Sequence, residues 1–195
     1  MPTPSDQKNA TRERILLSAR KLFNRRGFIE VTIEEIMADA GLTRGGFYNH
    51  FETKEALYSE AITQFIGNEP PEAWRTVGFD PSERGAALVR MIVNAYLSRE
   101  HFDDRDGSCP MVGLPSDAAR SGKLARAAFQ QVLEMMVVAF EANVGPAPVP
   151  ARERALALAA LCVGGMVLAR AVDDERLSDE LRHAARSQAF RTLGA

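Results

Sequence analysis

Apolar residues recur at intervals of three and four positions along most of the chain, the spacing that gives an α-helix one apolar face. Ile15, Ala19 and Phe23 show this spacing in the first such segment. No run of alternating β-branched residues is long enough to predict a strand. The 195 residues, 46% of them hydrophobic, suffice for one large core or two small ones. The sequence therefore predicts an all-α protein.

A break in this periodicity divides the chain into two predicted domains. Residues 67–81 carry three prolines and two glycines, a composition typical of a linker. We therefore expect an N-terminal domain over residues 1–66 and a C-terminal helical domain over residues 67–195. In the C-terminal domain, helices are predicted over residues 82–100, 110–120, 122–143, 151–172 and 178–193.

Two short helices lie close together in the N-terminal domain. Thr32 and Glu35, in the stretch "TIEE", form a capping box that starts the first of them, and a glycine ends it. Thr43 can cap the next helix, predicted over residues 44–51. Two such helices joined by a tight turn make a helix-turn-helix, here at about residues 33–52. In this arrangement the second helix enters the major groove of DNA with its N-terminus first.

Two further helices flank this pair. The first helix of the chain is predicted from about Asn9 or Thr11 to Arg26, with Gly27 as a left-handed C-cap. Thr53 can cap a helix that follows the pair. The N-terminal domain is thus expected to be a helix-turn-helix DNA-binding domain built on three helices and a fourth that leads into the linker.

The predicted helix over residues 44–51 has one apolar and one polar side. Phe47 and Phe51 lie four positions apart and are expected to hold the helix to its core. The guanidinium of Arg44 is our best candidate for base reading, as a bidentate donor to guanine. An alternative reading is that Tyr48 and His50 are half-buried and hydrogen-bonded within the bundle. Four side chains remain to contact phosphates and base edges: Arg44, Tyr48, Asn49 and His50.

Small and basic residues around this helix also suit a nucleic-acid partner. Gly45 and Gly46 weaken the helix, but they let its backbone approach DNA closely. Thr32 and Lys54, at the starts of two neighbouring helices, can bind phosphates. Residues 1–26 hold seven lysines or arginines against two acids, which indicates a phosphate-facing edge. Solvated helix faces are the alternative explanation of that charge.

The stretch "TIEEIMADAGLTRGGFYNHFETKEAL" resembles the DNA-binding signature of the tetracycline-repressor (TetR) family, and "RILLSARKLFNRRGF" resembles its first helix. The resemblance covers about residues 9–66. It implies a dimeric transcription regulator that binds a palindromic double-stranded DNA operator and responds to a small-molecule effector. Repression is expected, with activation as the alternative. Carried over by position, it implies DNA contacts from Thr32, Thr43, Arg44, Gly46, Tyr48, Asn49, His50 and Lys54.

The resemblance further implies that the C-terminal domain dimerises. Residues 155–169 are apolar throughout, but at 15 residues they are shorter than the ~20 that a membrane span needs. We expect a helix buried on all sides, whose small residues allow another helix to come close. Two helices, over about residues 151–172 and 178–193, would form a four-helix homodimer interface. An intramolecular core helix is the alternative.

The resemblance also implies a small-molecule pocket in the C-terminal domain. Methionine and aromatic side chains are the candidates to line it, because they adapt to apolar ligands. For any single residue, a place in the ordinary core is the alternative. Cys109, in "DGSCP", is expected at a helix N-terminus, where a thiol pKa falls, so a redox or electrophile sensor is a second reading. The predicted pocket residues are Met91, Tyr96, Phe102, Cys109, Met111, Phe129, Met136 and Phe140.

Several functional classes are disfavoured. The three histidines, His50, His101 and His183, share no element and no metal-ligand spacing, and no nucleophile or phosphate-loop motif occurs. We therefore expect no enzyme, no catalytic residues, no metal and no cofactor; a helical enzyme or a module that does not bind DNA is the rival class. Two distant cysteines indicate neither a disulfide framework nor a zinc site. With no signal-peptide pattern at the N-terminus, a cytoplasmic protein without membrane association is expected.

Overall fold

The computed structural model describes residues 3–65 and 70–193, and every regular element in these ranges is a helix. The predicted all-α class is confirmed. The elements are α1 (Pro4–Glu30), α2 (Ile33–Asp39), a 3-10 helix (Arg44–Asn49), α3 (Lys54–Thr63), α4 (Glu72–Thr76), α5 (Gly85–Tyr96), α6 (Arg99–Asp103), α7 (Pro110–Gly113), α8 (Pro115–Arg120), α9 (Lys123–Glu141), α10 (Ala151–Arg170) and α11 (Glu175–Thr192).

The chain folds into two compact units, and their division differs from the single boundary expected at residues 66 and 67. The first unit contains Met1–Gly67 together with Cys109–Val132, and the second contains Asn68–Ser108 together with Leu133–Ala195. Residues 109–132 belong to the first unit because α7 and α8 pack on α1. The carboxylate of Asp117 accepts a hydrogen bond of 2.8 Å from the backbone N–H of Phe28. This contact joins residues far apart in sequence, so local spacing could not predict it.

Helix α1 is longer than predicted. Thr3 and Asp6 form a capping box, which starts the helix before the expected Asn9 or Thr11. Gly27 interrupts the helical backbone with the predicted positive φ, 78°, but its ψ of 175° is not that of a left-handed C-cap, and the helix resumes beyond it to Glu30. One side of the helix is fully buried, as the apolar spacing of Ile15 and Phe23 requires.

The capping signals in the helix-turn-helix region hold with one exception. The N–H of Glu35 donates to Thr32 Oγ1 at 3.2 Å, and the N–H of Thr32 donates to the Glu35 carboxylate at 2.8 Å. Thr53 Oγ1 accepts from the N–H of Ala56 at 3.0 Å and starts α3. Thr43 precedes the 3-10 helix, but its side chain makes no capping hydrogen bond. The predicted α-helix over residues 44–51 is a shorter 3-10 helix, Arg44–Asn49, a form common in short pieces.

The second unit corrects two predictions from the sequence. The segment predicted as a linker contains α4, whose Trp74 is buried because its ring packs edge-on against Phe79 and Tyr96. The predicted helix over residues 82–100 is broken before α6, where Ser98 caps the new helix by accepting from the N–H of His101.

In the first unit, the helix predicted over residues 110–120 is also divided. It becomes α7 and α8 because Pro115 lacks the N–H that would continue α7.

Helix α10 was expected to be buried on all sides, and in the single chain this is wrong. Leu158, Cys162 and Met166 are fully buried, whereas Leu156 is 47% exposed and Leu168 is 55% exposed. The helix therefore has one face packed within the second unit and another apolar face open to solvent. None of the helices in residues 3–65 and 70–193 has the length and apolarity that a membrane span requires.

Candidate nucleic-acid interface

The 3-10 helix of the first unit is held in place by its two phenylalanines. Phe47 is fully buried and Phe51 nearly so, with ring centroids 5.9 Å apart. The guanidinium of Arg12, on α1, lies 4.5 Å from the centroid of the Phe51 ring. These contacts confirm the predicted inner side of the helix and determine which residues face outward.

The outward side carries the polar set predicted from the sequence. Arg44 and Asn49 are exposed, and Tyr48 is 62% exposed, which excludes the half-buried reading of that residue. The Tyr48 ring packs edge-on against Phe47 at 5.2 Å, so the exposed phenol sits on a rigid base. A guanidinium, a phenol and an amide are thus available together on one side of a short helix.

His50 is half-buried and lines a groove of about 530 Å³. Burial, followed by the positive charges of Lys8 and Arg12, lowers the pKa of His50. The ammonium group of Lys8 in this groove could pair with a phosphate, and the phosphate charge would in turn favour a protonated His50. None of the eight predicted DNA contacts lies on α1. The lining residues are Gln7, Lys8, Thr11, Asn49 and His50.

One signal in the sequence could have indicated the α1 side of this groove. Thr11 lies four positions after Gln7 and three after Lys8, so it shares a helix face with both. They lie within the basic segment of residues 1–26. What the sequence could not give is which neighbouring helix that face meets.

Arg44 makes an ion pair with an acidic residue of α2. Its Nη1 contacts the carboxylate of Glu34, with 66% of the Arg44 side chain and 50% of the Glu34 side chain exposed. Glu34 lies in the first turn of α2, two residues after the N-cap Thr32. The residue expected to read a base therefore already has a partner within the domain, which the sequence analysis did not foresee.

Thr32 and Lys54 are also engaged within the first unit. The Thr32 hydroxyl lies 3.0 Å from the Glu35 carboxylate. Hydrogen bonds from Arg26 and then from Thr32 lower the pKa of that carboxylate to about 2. Lys54 Nζ donates to the carbonyl of Phe28 and lies 4.4 Å from the centroid of its ring, and burial lowers its pKa. Both residues lie at helix starts as predicted, and phosphate binding by either of them stays a prediction.

The predicted pocket residues do not gather in one compact unit. Cys109, Met111 and Phe129 belong to the first unit, and the other five belong to the second. In the second unit, a groove of about 520 Å³ is lined by residues outside the predicted set. They are Leu97, Arg99, Asp179, Arg182, His183 and Arg186.

Among the predicted pocket residues, Tyr96 belongs to a buried polar network. His101 Nδ1 lies 2.7 Å from the carbonyl oxygen of Tyr96, so this nitrogen carries the proton. Its Nε2 then accepts from Ser108, whose hydroxyl in turn accepts from Arg170 at 2.9 Å. Burial lowers the pKa of His101 to about 4, so the ring is neutral at pH 7.

Cys109 precedes a helix, as predicted, but its surroundings do not suit a sensor. It is 1% exposed, and α7, which begins after it, has four residues. Reactive thiols are partly exposed in electropositive surroundings, whereas buried thiols are inert. Cys162 on α10 is fully buried.

The N-terminal part of the chain is similar in sequence to known transcription regulators. Residues 15–61 match the family described as bacterial regulatory proteins, tetR family. The chain is 42% identical over 59 residues to the HTH-type transcriptional regulator YerO of Bacillus subtilis, which is 30% of this chain and 20% of YerO. It is 23% identical over 130 residues to the HTH-type transcriptional repressor DhaR of Mycobacterium sp., covering 67% of this chain and 63% of DhaR.

The likeness in sequence is therefore confined mainly to the helix-turn-helix. The matched segment spans about a fifth of YerO and less than two thirds of DhaR. In three dimensions it extends further: a TetR transcriptional regulator from Chloroflexus aurantiacus superposes with a TM-score of 0.73 over 93% of this chain and 94% of its own, at 21% identity. This similarity shows the fold of the chain.

Proposed function

The chain belongs to the TetR family of bacterial regulatory proteins, and we propose that it is a DNA-binding repressor of transcription that acts as a homodimer on a palindromic operator. The matching segment, residues 15–61, includes the helix-turn-helix and its exposed polar set. Members of this family are regulators rather than enzymes. A cytoplasmic location goes with the proposal and stays a prediction.

The observation that carries the proposal is the exposure of Arg44, Tyr48 and Asn49 on a helix whose other side is buried. Exposed polar groups on a rigid element suit base edges and phosphates, since both partners then keep their shape on binding. The adjoining groove at Lys8 and His50 is a candidate seat for a backbone phosphate. We propose repression and not activation because relatives such as DhaR are described as repressors.

Dimerisation through α10 and α11 is supported by the open apolar face of α10. Leu156, Ala160, Gly164 and Leu168 follow one another at intervals of four, which forms one ridge along the helix. A Cβ at Gly164 would meet nothing within 4 Å, whereas one at Gly165 would lie 2.6 Å from Ala185. Gly165 is thus needed for packing within the second unit, while Gly164 leaves room for a helix of another copy.

Release of the operator by a small apolar effector completes the proposal. Met136, Phe140 and Tyr96 are buried in the second unit, and Met91 and Phe102 are half-buried there. A ligand that prefers one dimer conformation would change the separation of the two recognition helices, and its coupling energy sets the loss of DNA affinity. The burial of Cys109 supports an effector of this kind over a thiol sensor.

The proposal is tested by the Arg44→Ala variant and the DNA upstream of the chain's own gene. Loss of a bidentate guanine contact is expected to lower operator affinity by roughly ten- to a hundredfold, equivalent to about 1–3 kcal/mol. Affinity for an unrelated duplex of the same length should fall far less. Gel-shift titrations of both duplexes, each at several salt concentrations, measure the two effects.

Two outcomes would count against this function. Equal losses on both duplexes would remove the base-reading role of Arg44. Failure of the unmodified protein to retain its upstream fragment at low salt would favour the rival class, a helical module that does not bind DNA. A reporter gene behind the same fragment separates repression, in which expression rises without the protein, from activation.

A further inference from the structure

Glu34 is placed where it can act on DNA recognition. It lies in the first turn of α2, and Arg44 is the first residue of the 3-10 helix. In a helix-turn-helix the N-terminal residues of the second helix contact base edges, while the first helix crosses the sugar-phosphate backbone. The neighbouring Glu35 is used inside the domain, by the capping box and by Arg26 at 2.8 Å. The Glu34 carboxylate instead reaches outward to Arg44.

The fold does not need this ion pair. Half of the Glu34 side chain and two thirds of the Arg44 side chain are exposed. Ion pairs so exposed contribute little to stability, because water screens the charges and two long side chains lose their freedom. The first turn of α2 is already capped by Thr32. The helix dipole favours a carboxylate in this turn, but it does not require one that contacts Arg44.

The geometry leaves Arg44 able to bind guanine while it remains paired. A guanidinium has five N–H donors in a planar fork. Glu34 engages Nη1, so the edge formed by Nε and Nη2 still offers two parallel donors. That edge is sufficient for the O6 and N7 acceptors of guanine. An arginine held on one side by a carboxylate also loses less rotamer freedom when it binds a base.

The charge of Glu34 has a second effect. On DNA that lacks the right base, Arg44 would turn to a phosphate and leave the carboxylate unpaired among phosphates. Like charges at close range are unfavourable, so such complexes are weakened. A repulsive element of this kind raises specificity without adding any new attraction to the correct partner.

We propose that Glu34 is a positioning residue for sequence discrimination: it orients Arg44 toward a guanine of the operator and penalises binding to other DNA. This inference rests on the proposed DNA-binding function. It assigns a role to a residue outside the eight predicted contact residues, and it gives the Arg44 ion pair a use.

The test compares Glu34→Gln with the unmodified protein. Sequences selected from a random duplex library by each protein are read out, and affinities for the selected operator, for that operator with the contacted guanine replaced, and for an unrelated duplex are measured against salt. Glu34→Gln should bind the unrelated duplex several-fold more tightly. Its preference for guanine at one position of each half-site should fall on the order of tenfold.

Matched variants separate positioning from net charge. Glu52→Gln removes an exposed carboxylate close to the 3-10 helix in sequence, and it should leave guanine preference unchanged. Glu34→Asp keeps the charge but shortens the side chain, so guanine preference should fall while binding to the unrelated duplex stays as before. In an Arg44→Lys background, which lacks the planar fork, Glu34→Gln should have no further effect on base preference.

The outcomes distinguish the two proposals. If Glu34→Gln selects the same sequence with the same discrimination, or behaves like Glu52→Gln, Glu34 has no positioning role. If Glu34→Gln does not fold, as judged by circular dichroism, unchanged discrimination in Glu34→Asp overturns the inference. If the unmodified protein selects no sequence at all, it is the DNA-binding function that fails.

Discussion

Neither the space around Gly45 nor its backbone conformation requires a glycine at this position. A Cβ at this position would meet nothing within 4 Å, and its backbone is not in the left-handed region. Alanine would therefore fit, and it would favour the helix by up to about 1 kcal/mol. Gly46 is similar, since its nearest contact would be an ordinary one, 3.6 Å from Met37. The close approach that glycine allows is useful here only to a partner outside the domain.

Gly45→Ala is therefore expected to weaken DNA binding without destabilising the fold. The free energy of unfolding should stay the same or rise by up to about 1 kcal/mol, because the native backbone suits alanine. Operator affinity should fall by about tenfold or more, because the added methyl group occupies space needed by DNA. Urea unfolding and gel-shift titration measure the two quantities on the same preparation. Unchanged operator affinity would show that the glycine has no role in close approach.

At the level of elements, one buried network joins α5, α6 and α10 in the second unit. Arg170 on α10 donates to Ser108 and to the carbonyl of His101, and His101 donates to the last residue of α5. Rings of Trp74 and Tyr96 pack edge-on against His101. A charged imidazolium cannot keep this arrangement, because Nε2 would then lose its ability to accept a hydrogen bond from Ser108.

The second unit should therefore lose stability in mild acid. The pKa of His101 is about 4 in the folded chain, below the ordinary value of 6.5, so the unfolded chain binds the proton more readily between these values. Stability is fully present above about pH 6.5 and declines as pH falls toward 4. Between pH 7 and pH 5 the free energy of unfolding should fall by about 2 kcal/mol.

Urea unfolding at a fixed protein concentration, over a series of pH values, measures this decline. His101→Gln should be less stable at neutral pH but should show a flatter pH dependence. His183→Gln, at an exposed site on α11, serves as the control and should keep the slope of the unmodified protein. Equal slopes in the two variants would show that His101 does not control the acid response.

For the whole molecule, the open face of α10 is the surface through which we propose that two copies associate. Exposed leucines at positions 156 and 168 bracket Ala160 and Gly164, and Leu177 on α11 is also exposed. Isolated apolar side chains on a surface are ordinary, but a ridge of this length is typical of an interface. The proposed palindromic operator requires two copies of the recognition helix, so we expect operator binding to depend on this face.

Leu168→Glu is expected to disrupt the dimer and, with it, operator binding. Two carboxylates would be buried without partners where the copies meet, a cost large enough to dissociate many dimers. Sedimentation should give the mass of one 21.4 kDa chain where the unmodified protein gives twice that mass. Val138→Glu, which alters a similarly exposed apolar residue on α9, should leave the dimer intact. A Leu168→Glu protein that remains dimeric would assign the interface elsewhere.

Features that depend on neighbouring residues could be predicted from the sequence. The all-α class follows from the three- and four-residue spacing, and the starts of α2 and α3 follow from Thr32 and Thr53, because caps act within a single turn. The buried and exposed sides of the recognition helix also followed from the positions of Phe47 and Phe51. Local signals were less reliable where a short helix could break, as at Pro115.

Contacts between side chains that are distant in sequence could not be predicted in this way and are seen in the folded chain alone. Asp117 on the backbone of Phe28, Lys8 beside His50, Glu34 on Arg44 and Arg170 on Ser108 are contacts that no spacing rule contains. Each depends on how helices pack and on which rotamers that packing leaves open. For the same reason the sequence did not predict that residues 109–132 belong to the first unit or that one face of α10 is exposed. Periodicity shows that a helix has an apolar side, but the partner of that side is set by the assembled fold.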